Sequence, residues 1–114
     1  MEEIKLNRTG QRPIAFIGTE IFNGSTKEYN STRWERVRIF ETDKGDYKVG
    51  IAKMTYFEEE TNAYEVTTFK DKDKVISFVI KEVPDIDLEN LTSALSKEEN
   101  GINKRTANKS RKNA

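Results

Sequence analysis

Residues 33–57 read RWERVRIFETDKGDYKVGIAKMTYF. Two runs rich in β-branched and aromatic residues, Arg33–Thr42 and Asp46–Phe57, flank the tripeptide Asp43-Lys44-Gly45. A three-residue hairpin loop commonly places a left-handed residue last, and Gly45 stands at that position. The loop pairs Thr42 with Asp46, and every other pair then follows. Val37 faces Ile51 and Ile39 faces Val49, which makes one face of the ribbon apolar. The other face pairs Phe40 with Lys48, Arg38 with Gly50, Arg36 with Ala52 and Trp34 with Met54. A slip of one residue would mix the two faces, so the pattern disfavours it.

On the N-terminal side, residues 13–23 (PIAFIGTEIFN) read as a first strand. Pro13 suits a strand start, and Gly18 marks a bulge or a close backbone approach. Residues 1–12 are polar and read as a flexible terminus, and residues 23–32 as a loop. On the C-terminal side, the acidic loop Glu58-Glu59-Glu60-Thr61-Asn62 leads to a further strand at Ala63–Lys70. Pairing Phe57 with Ala63 sets Met54 beside Val66, Tyr56 beside Tyr64 and Ile51 beside Phe69.

The pattern then changes. Val75, Ile76, Phe78, Val79 and Ile80 form an apolar run compatible with strand or helix. Asp73 as an N-cap and Pro84 as a stop favour helix. From Pro84 onward, Ile86, Leu88, Leu91, Ala94 and Leu95 recur at helical spacing and end near Asn100-Gly101. The expectation is one α+β domain over residues 13–100. It comprises a four-stranded antiparallel β-meander with one or two C-terminal helices packed on one face, followed by a disordered basic tail over 101–114.

Charge is divided along the chain. Residues 1–100 hold all twenty acidic side chains and fifteen of the twenty basic ones. The last fourteen residues carry Lys104, Arg105, Lys109, Arg111 and Lys112 with no acid. Such a tail is an electrostatic handle for phosphates, or only a solubilising end, while the acidic body repels polyanions.

Histidine and cysteine are absent. That removes the Ser-His-Asp and Cys-His nucleophile systems and the imidazole or thiolate ligands of zinc, copper and haem. Neither nucleotide-binding glycine fingerprint occurs. Glu58-Glu59-Glu60 with Asp71 and Asp73 is acidic enough for a hard cation, although its spacing fits no EF-hand and solvated loop acids are the ordinary reading. No catalytic residue, cofactor site or metal site is assigned, and the chain reads as non-enzymatic. No apolar stretch approaches a membrane span, and the acidic Met1-Glu2-Glu3 start is unlike a secretory leader, so a cytoplasmic location is expected.

At Phe16-Ile17-Gly18, Trp34-Glu35-Arg36 and Ile39-Phe40-Glu41-Thr42-Asp43-Lys44-Gly45-Asp46-Tyr47 the chain resembles the EXLDI family of small, uncharacterised bacterial proteins. The likeness runs over about residues 13–95 and implies a bacterial source. That family has no catalytic residue to carry over.

The sharpest candidate site is the Trp34, Arg36, Arg38 and Phe40 face, joined by Met54, Tyr56 and Tyr64. Aromatic rings beside guanidinium groups suit a protein partner or a homodimer. The competing reading is a face covered by helices, with the Arg stems lying along it. Two short helices cannot cover both sheet faces, so one is left for a partner, a second copy or the first strand. The alternative function is nucleic-acid association, with the tail and the sheet arginines on phosphates and the aromatics stacking on bases. That reading needs the sheet face to be locally basic.

Overall fold

The computed structural model describes residues 1–96. Five antiparallel strands form one sheet in sequential order: β1 (Glu2–Arg8), β2 (Gln11–Ser25), β3 (Arg33–Thr42), β4 (Tyr47–Thr55) and β5 (Ala63–Phe69). Helices α1 (Lys72–Glu82) and α2 (88–96 in its described part) follow. The basic tail and the helix end expected near Asn100-Gly101 lie outside the described residues.

The central hairpin forms as its sequence requires. Gly45 has φ of 88°, and the turn is closed by Thr42 N–H donating to the Asp46 carbonyl at 2.9 Å. Val37 pairs with Ile51, Ile39 with Val49, Arg38 with Gly50 and Trp34 with Met54. These are the pairs that the three-residue loop dictates.

The inward face of this ribbon meets the helices. Val37, Ile39, Val49 and Ile51 pack against Val75, Val79 and Val83, then Ile86, Leu91 and Leu95. The valines at 75, 79 and 83 and the leucines at 91 and 95 recur four apart, which puts each set on one helical side. Asp71, not Asp73, caps α1, because its carboxylate accepts from the Lys74 backbone N–H at 2.9 Å. Asp87 serves the next helix in the same way, accepting from Asn90 N–H at 3.0 Å. The Lys72 ammonium donates to the Leu95 carbonyl at 3.0 Å and ties the two helices together.

Three expectations are corrected. First, the sheet has five strands, because Glu2–Arg8 pairs with the first half of β2 through Ile4↔Phe16 and Leu6↔Ile14. The signal is present in the chain: Ile4 and Leu6 alternate with polar residues, and Gly10 turns the backbone with φ of 75°. Second, the β4–β5 register differs by four residues, with Gly50↔Val66, Ile51↔Glu65 and Lys53↔Ala63. The connection is longer than the acidic pentapeptide because Asn62 Oδ1 accepts from Thr55 N–H at 2.9 Å and Thr55 Oγ1 accepts from Phe57 N–H at 3.1 Å. An even shift keeps each side chain on its face, so Met54 and Val66 remain on the same side. Third, the arginine face, which the helices leave free, is not open along its whole length, because the β1–β2 hairpin covers the Phe40 end of it.

That last arrangement depends on one bulge. β2 pairs with β1 through residues 11–18 and with β3 through 18–25, and its register slips between Glu20 and Phe22. Phe16 and Phe22 are six apart, so a regular strand would put both on one face. The extra residue reverses the alternation. Phe22 enters the helix-covered core, while Phe16 lies edge-on to Phe40 on the opposite face, with ring centroids 5.4 Å apart. Gly18 sits just before the bulge, where a Cβ would stand 2.8 Å from the Glu41 carbonyl oxygen.

Candidate functional site: a basic groove on the second sheet face

The second sheet face splits into a covered end and an open end. At the covered end Phe40 is fully buried. Phe16 lies edge-on to it, and the Arg38 guanidinium lies 4.9 Å from its ring centre. Phe40 is therefore a core residue and cannot touch a partner. Toward the open end, Leu6 of β1 is only 8% exposed. A Cβ built on Gly50 would lie 3.5 Å from the Leu6 Cδ1, so the small residue accommodates a strand side chain and not a helix.

Beyond Leu6 the face opens into a cleft of about 240 Å³ between β1 and β5. Arg36, Arg38, Met54 and Tyr64 line it, above a floor that includes Gly50, Ala52 and Val66. A second cleft of about 300 Å³ adjoins it and shares Tyr64, Glu65 and Val66. Of the seven residues proposed from sequence, the structure thus brings four into one concavity. Trp34 stands at the margin with the Lys27 ammonium 4.5 Å from its ring centre. Tyr56 projects outward and is 76% exposed.

The guanidinium groups are held by β2. Arg36 Nε donates to Asn23 Oδ1 at 3.1 Å, and Arg38 Nε donates to Glu20 Oε2 at 2.6 Å. Both members of the Arg38–Glu20 pair are part-exposed, so the pair orients the side chain more than it stabilises the fold. Lys5, Arg8 and Lys53 also line the two clefts, and Glu65 is their one acidic residue. Among the described residues, five cations against Glu65 and the Glu20 that pairs with Arg38 leave this groove locally basic on a body that is net acidic.

The groove ends where β1 meets β5. Thr9 N–H donates to the Tyr64 carbonyl at 2.8 Å, and Tyr64 N–H donates to Thr9 Oγ1 at 2.7 Å. Both backbone groups of Tyr64 thus point away from β4. In an antiparallel ladder outward and inward residues alternate, so the N–H and C=O of Val66 and Thr68 also point outward. The sheet curls far enough to touch itself at Thr9 but does not close.

The acidic loop is tied to the sheet end. Arg33 forms a bidentate pair with Glu60, and Thr55 Oγ1 donates to Glu60 Oε1 at 2.5 Å. The bond from Arg33, followed by that from Thr55, holds the Glu60 carboxyl below the usual range, and the same contact raises Arg33. Glu60 is thereby committed to a cation already in the chain. Among the described residues no group of three or more acidic side chains is placed to hold a metal ion. The proposed nucleic-acid contacts Lys104, Arg105, Lys109, Arg111 and Lys112 lie outside the described residues.

Sequence reasoning missed Lys5, Leu6, Arg8, Thr9 and Lys53. The first four belong to β1 and its turn, and the alternation of Ile4 and Leu6 before Gly10 was the available signal. Lys53 has the parity of the helix-covered face and lines only the second cleft.

No family model, curated protein or solved structure matches the chain. Among the described residues no helix is long and apolar enough to cross a membrane.

Proposed function

We propose that the protein is a small, non-enzymatic binding or regulatory module of the cytoplasm. It engages a protein partner, or a second copy of itself, through the open end of the second sheet face. The observation that carries this reading is the concavity in which Arg36 and Arg38, oriented by Asn23 and Glu20, stand beside Met54 and Tyr64 over an apolar floor. Preoriented guanidinium groups next to aromatic and thioether surface lose little freedom on binding, which favours a contact of this kind. Trp34 and Tyr56 extend the same face outward.

The test is the solution mass by light-scattering chromatography, for the parent chain and for a Trp34→Ala, Met54→Ala, Tyr56→Ala variant, which alters both the concavity and its outward extension. A dimer that dissociates in the variant supports self-association through this face. A dimer unchanged by it assigns association elsewhere and overturns the reading. A monomeric parent directs the search to a heterologous partner, whose capture the same variant must abolish.

A second reading has one specific support. The groove is locally basic, which nucleic-acid association needs in a body that is otherwise acidic. Binding of an oligonucleotide at low salt that weakens steeply as salt rises would favour it.

A further inference from the structure

We propose that the groove between β1 and β5 takes an extended acidic peptide, which adds as a strand to the free edge of β5. The inference rests on the binding role proposed above for this face and names the occupant.

Three observations converge. First, β5 is an edge strand, and among the described residues its outward backbone groups are used only at Tyr64, by Thr9. Thr9 donates its N–H to the Tyr64 carbonyl, as the first residue of an added strand would. At Val66, which lines both clefts, and at Thr68 farther along the same edge, two further N–H and two C=O groups point outward, and backbone pairing at such an edge is a recurrent mode of peptide capture. Second, the clefts are about 240 and 300 Å³, at or below the lower end of the roughly 300–1,000 Å³ of small-molecule sites. Space of that size, drawn out along a strand, fits single side chains and extended backbone better than a cofactor. Third, among the described residues Lys5, Arg8, Arg36, Arg38 and Lys53 surround the groove against Glu65 and the Glu20 already paired with Arg38, an excess of three cations. A strand added to β5 alternates its side chains between the two sheet faces, so its carboxylates would turn to the face that carries Arg36 and Arg38 and its apolar residues to the opposite one.

A peptide is favoured over nucleic acid on the same grounds. A base needs an aromatic plane to stack on, and Tyr64 is the one aromatic residue lining the clefts. The free backbone groups of β5 match a strand and not a phosphate chain.

The experiment is an amide-resolved NMR titration of the full chain with four probes. The first is a capped heptapeptide alternating valine and glutamate, matched to the seven residues of β5. The second is the same peptide N-methylated at alternate backbone nitrogens. The third replaces glutamate by lysine, and the fourth is oligothymidylate. The acidic peptide is expected to shift the amides of Val66 and Thr68. N-methylation should weaken it roughly tenfold or more, because it removes backbone donors. The lysine peptide should not bind, and Arg36→Glu should weaken the acidic peptide several-fold.

Equal affinity of the N-methylated and parent peptides would overturn strand addition while leaving the face a binding surface. Shifts confined to residues away from β5, or no shift with any peptide at millimolar concentration, would also overturn it. Oligothymidylate binding in place of the peptide would assign the groove to nucleic acid. The mass measurement reads association through the face and the N-methylated peptide reads backbone pairing at β5, so failure of the one and failure of the other are distinguished.

Discussion

Gly18, Gly45 and Gly50 sit in one sheet for three different reasons, and their alanine variants should separate in energy accordingly. A Cβ on Gly45 meets nothing within 4 Å, but its φ of 88° is costly for any L-residue. Gly45→Ala should lose about 1 kcal/mol in urea unfolding, from conformation alone. A Cβ on Gly18 would lie 2.8 Å from the Glu41 carbonyl oxygen, so β2 and β3 must move apart. Gly18→Ala should cost more, about 2–3 kcal/mol. At Gly50 the neighbour is Leu6 Cδ1 at 3.5 Å, an ordinary contact, and Gly50→Ala should be near neutral. Any other rank order would contradict the packing described. Glu60 offers a second test at this scale. Its folded pKa is depressed, so the stabilisation from Arg33 and Thr55 is complete above the unfolded value and is lost as pH falls through the folded one. Carboxyl NMR should show Glu60 titrating below a free glutamate, and Arg33→Ala should move it back up.

At the scale of elements, β1 decides what the second face becomes. Leu6 fills the space over Gly50, while Ile4 and Ile14 flank Phe16 above Phe40. Leu6→Ala should therefore cost about 2–3 kcal/mol, a core-sized loss from a residue in a polar N-terminal segment. If residues 1–12 were loose, the same change would fall within about 0.5 kcal/mol of the parent. The helix caps are smaller contributors. Asp71→Ala removes the acceptor for Lys74 N–H and should cost about 1 kcal/mol, whereas Asp73→Ala should not. Urea midpoints for the three variants, compared at constant slope, distinguish these outcomes.

At the scale of the whole molecule, the sheet is a curled ribbon pinned to itself at one point. Removing the Thr9 hydroxyl takes away the acceptor of Tyr64 N–H without touching the helix-covered core. Thr9→Val should raise hydrogen exchange at Tyr64 by about five- to tenfold while leaving Val49 unchanged. Exchange that rises equally at both sites would show that the seam belongs to the global unfolding unit.

The chain by itself determined the central hairpin, because a three-residue turn and a period-two pattern leave one register in which Val37 and Ile39 share a face with Ile51 and Val49. It made the second helix legible from the spacing of Ile86, Leu88, Leu91, Ala94 and Leu95, whereas the apolar run at 75–80 suited strand or helix and only the flanking Asp73 and Pro84 favoured helix. It also placed Arg36, Arg38, Met54 and Tyr64 on one face, since alternation survives an even error in register. Tertiary structure alone decided what that face became. A strand-length segment as polar as Glu2–Arg8 buries little by itself and acquires its role only when β2 bends at Glu20–Phe22 and lays Leu6 over Gly50. The β4–β5 register was equally hidden, because it is set by side-chain bonds from Thr55, Glu60 and Asn62 inside a loop, and such bonds have no period to read. The basic groove joins residues of β1 to residues of β3, β4 and β5 across long loops of chain. Its charge excess exists only where the curled sheet brings those cations together.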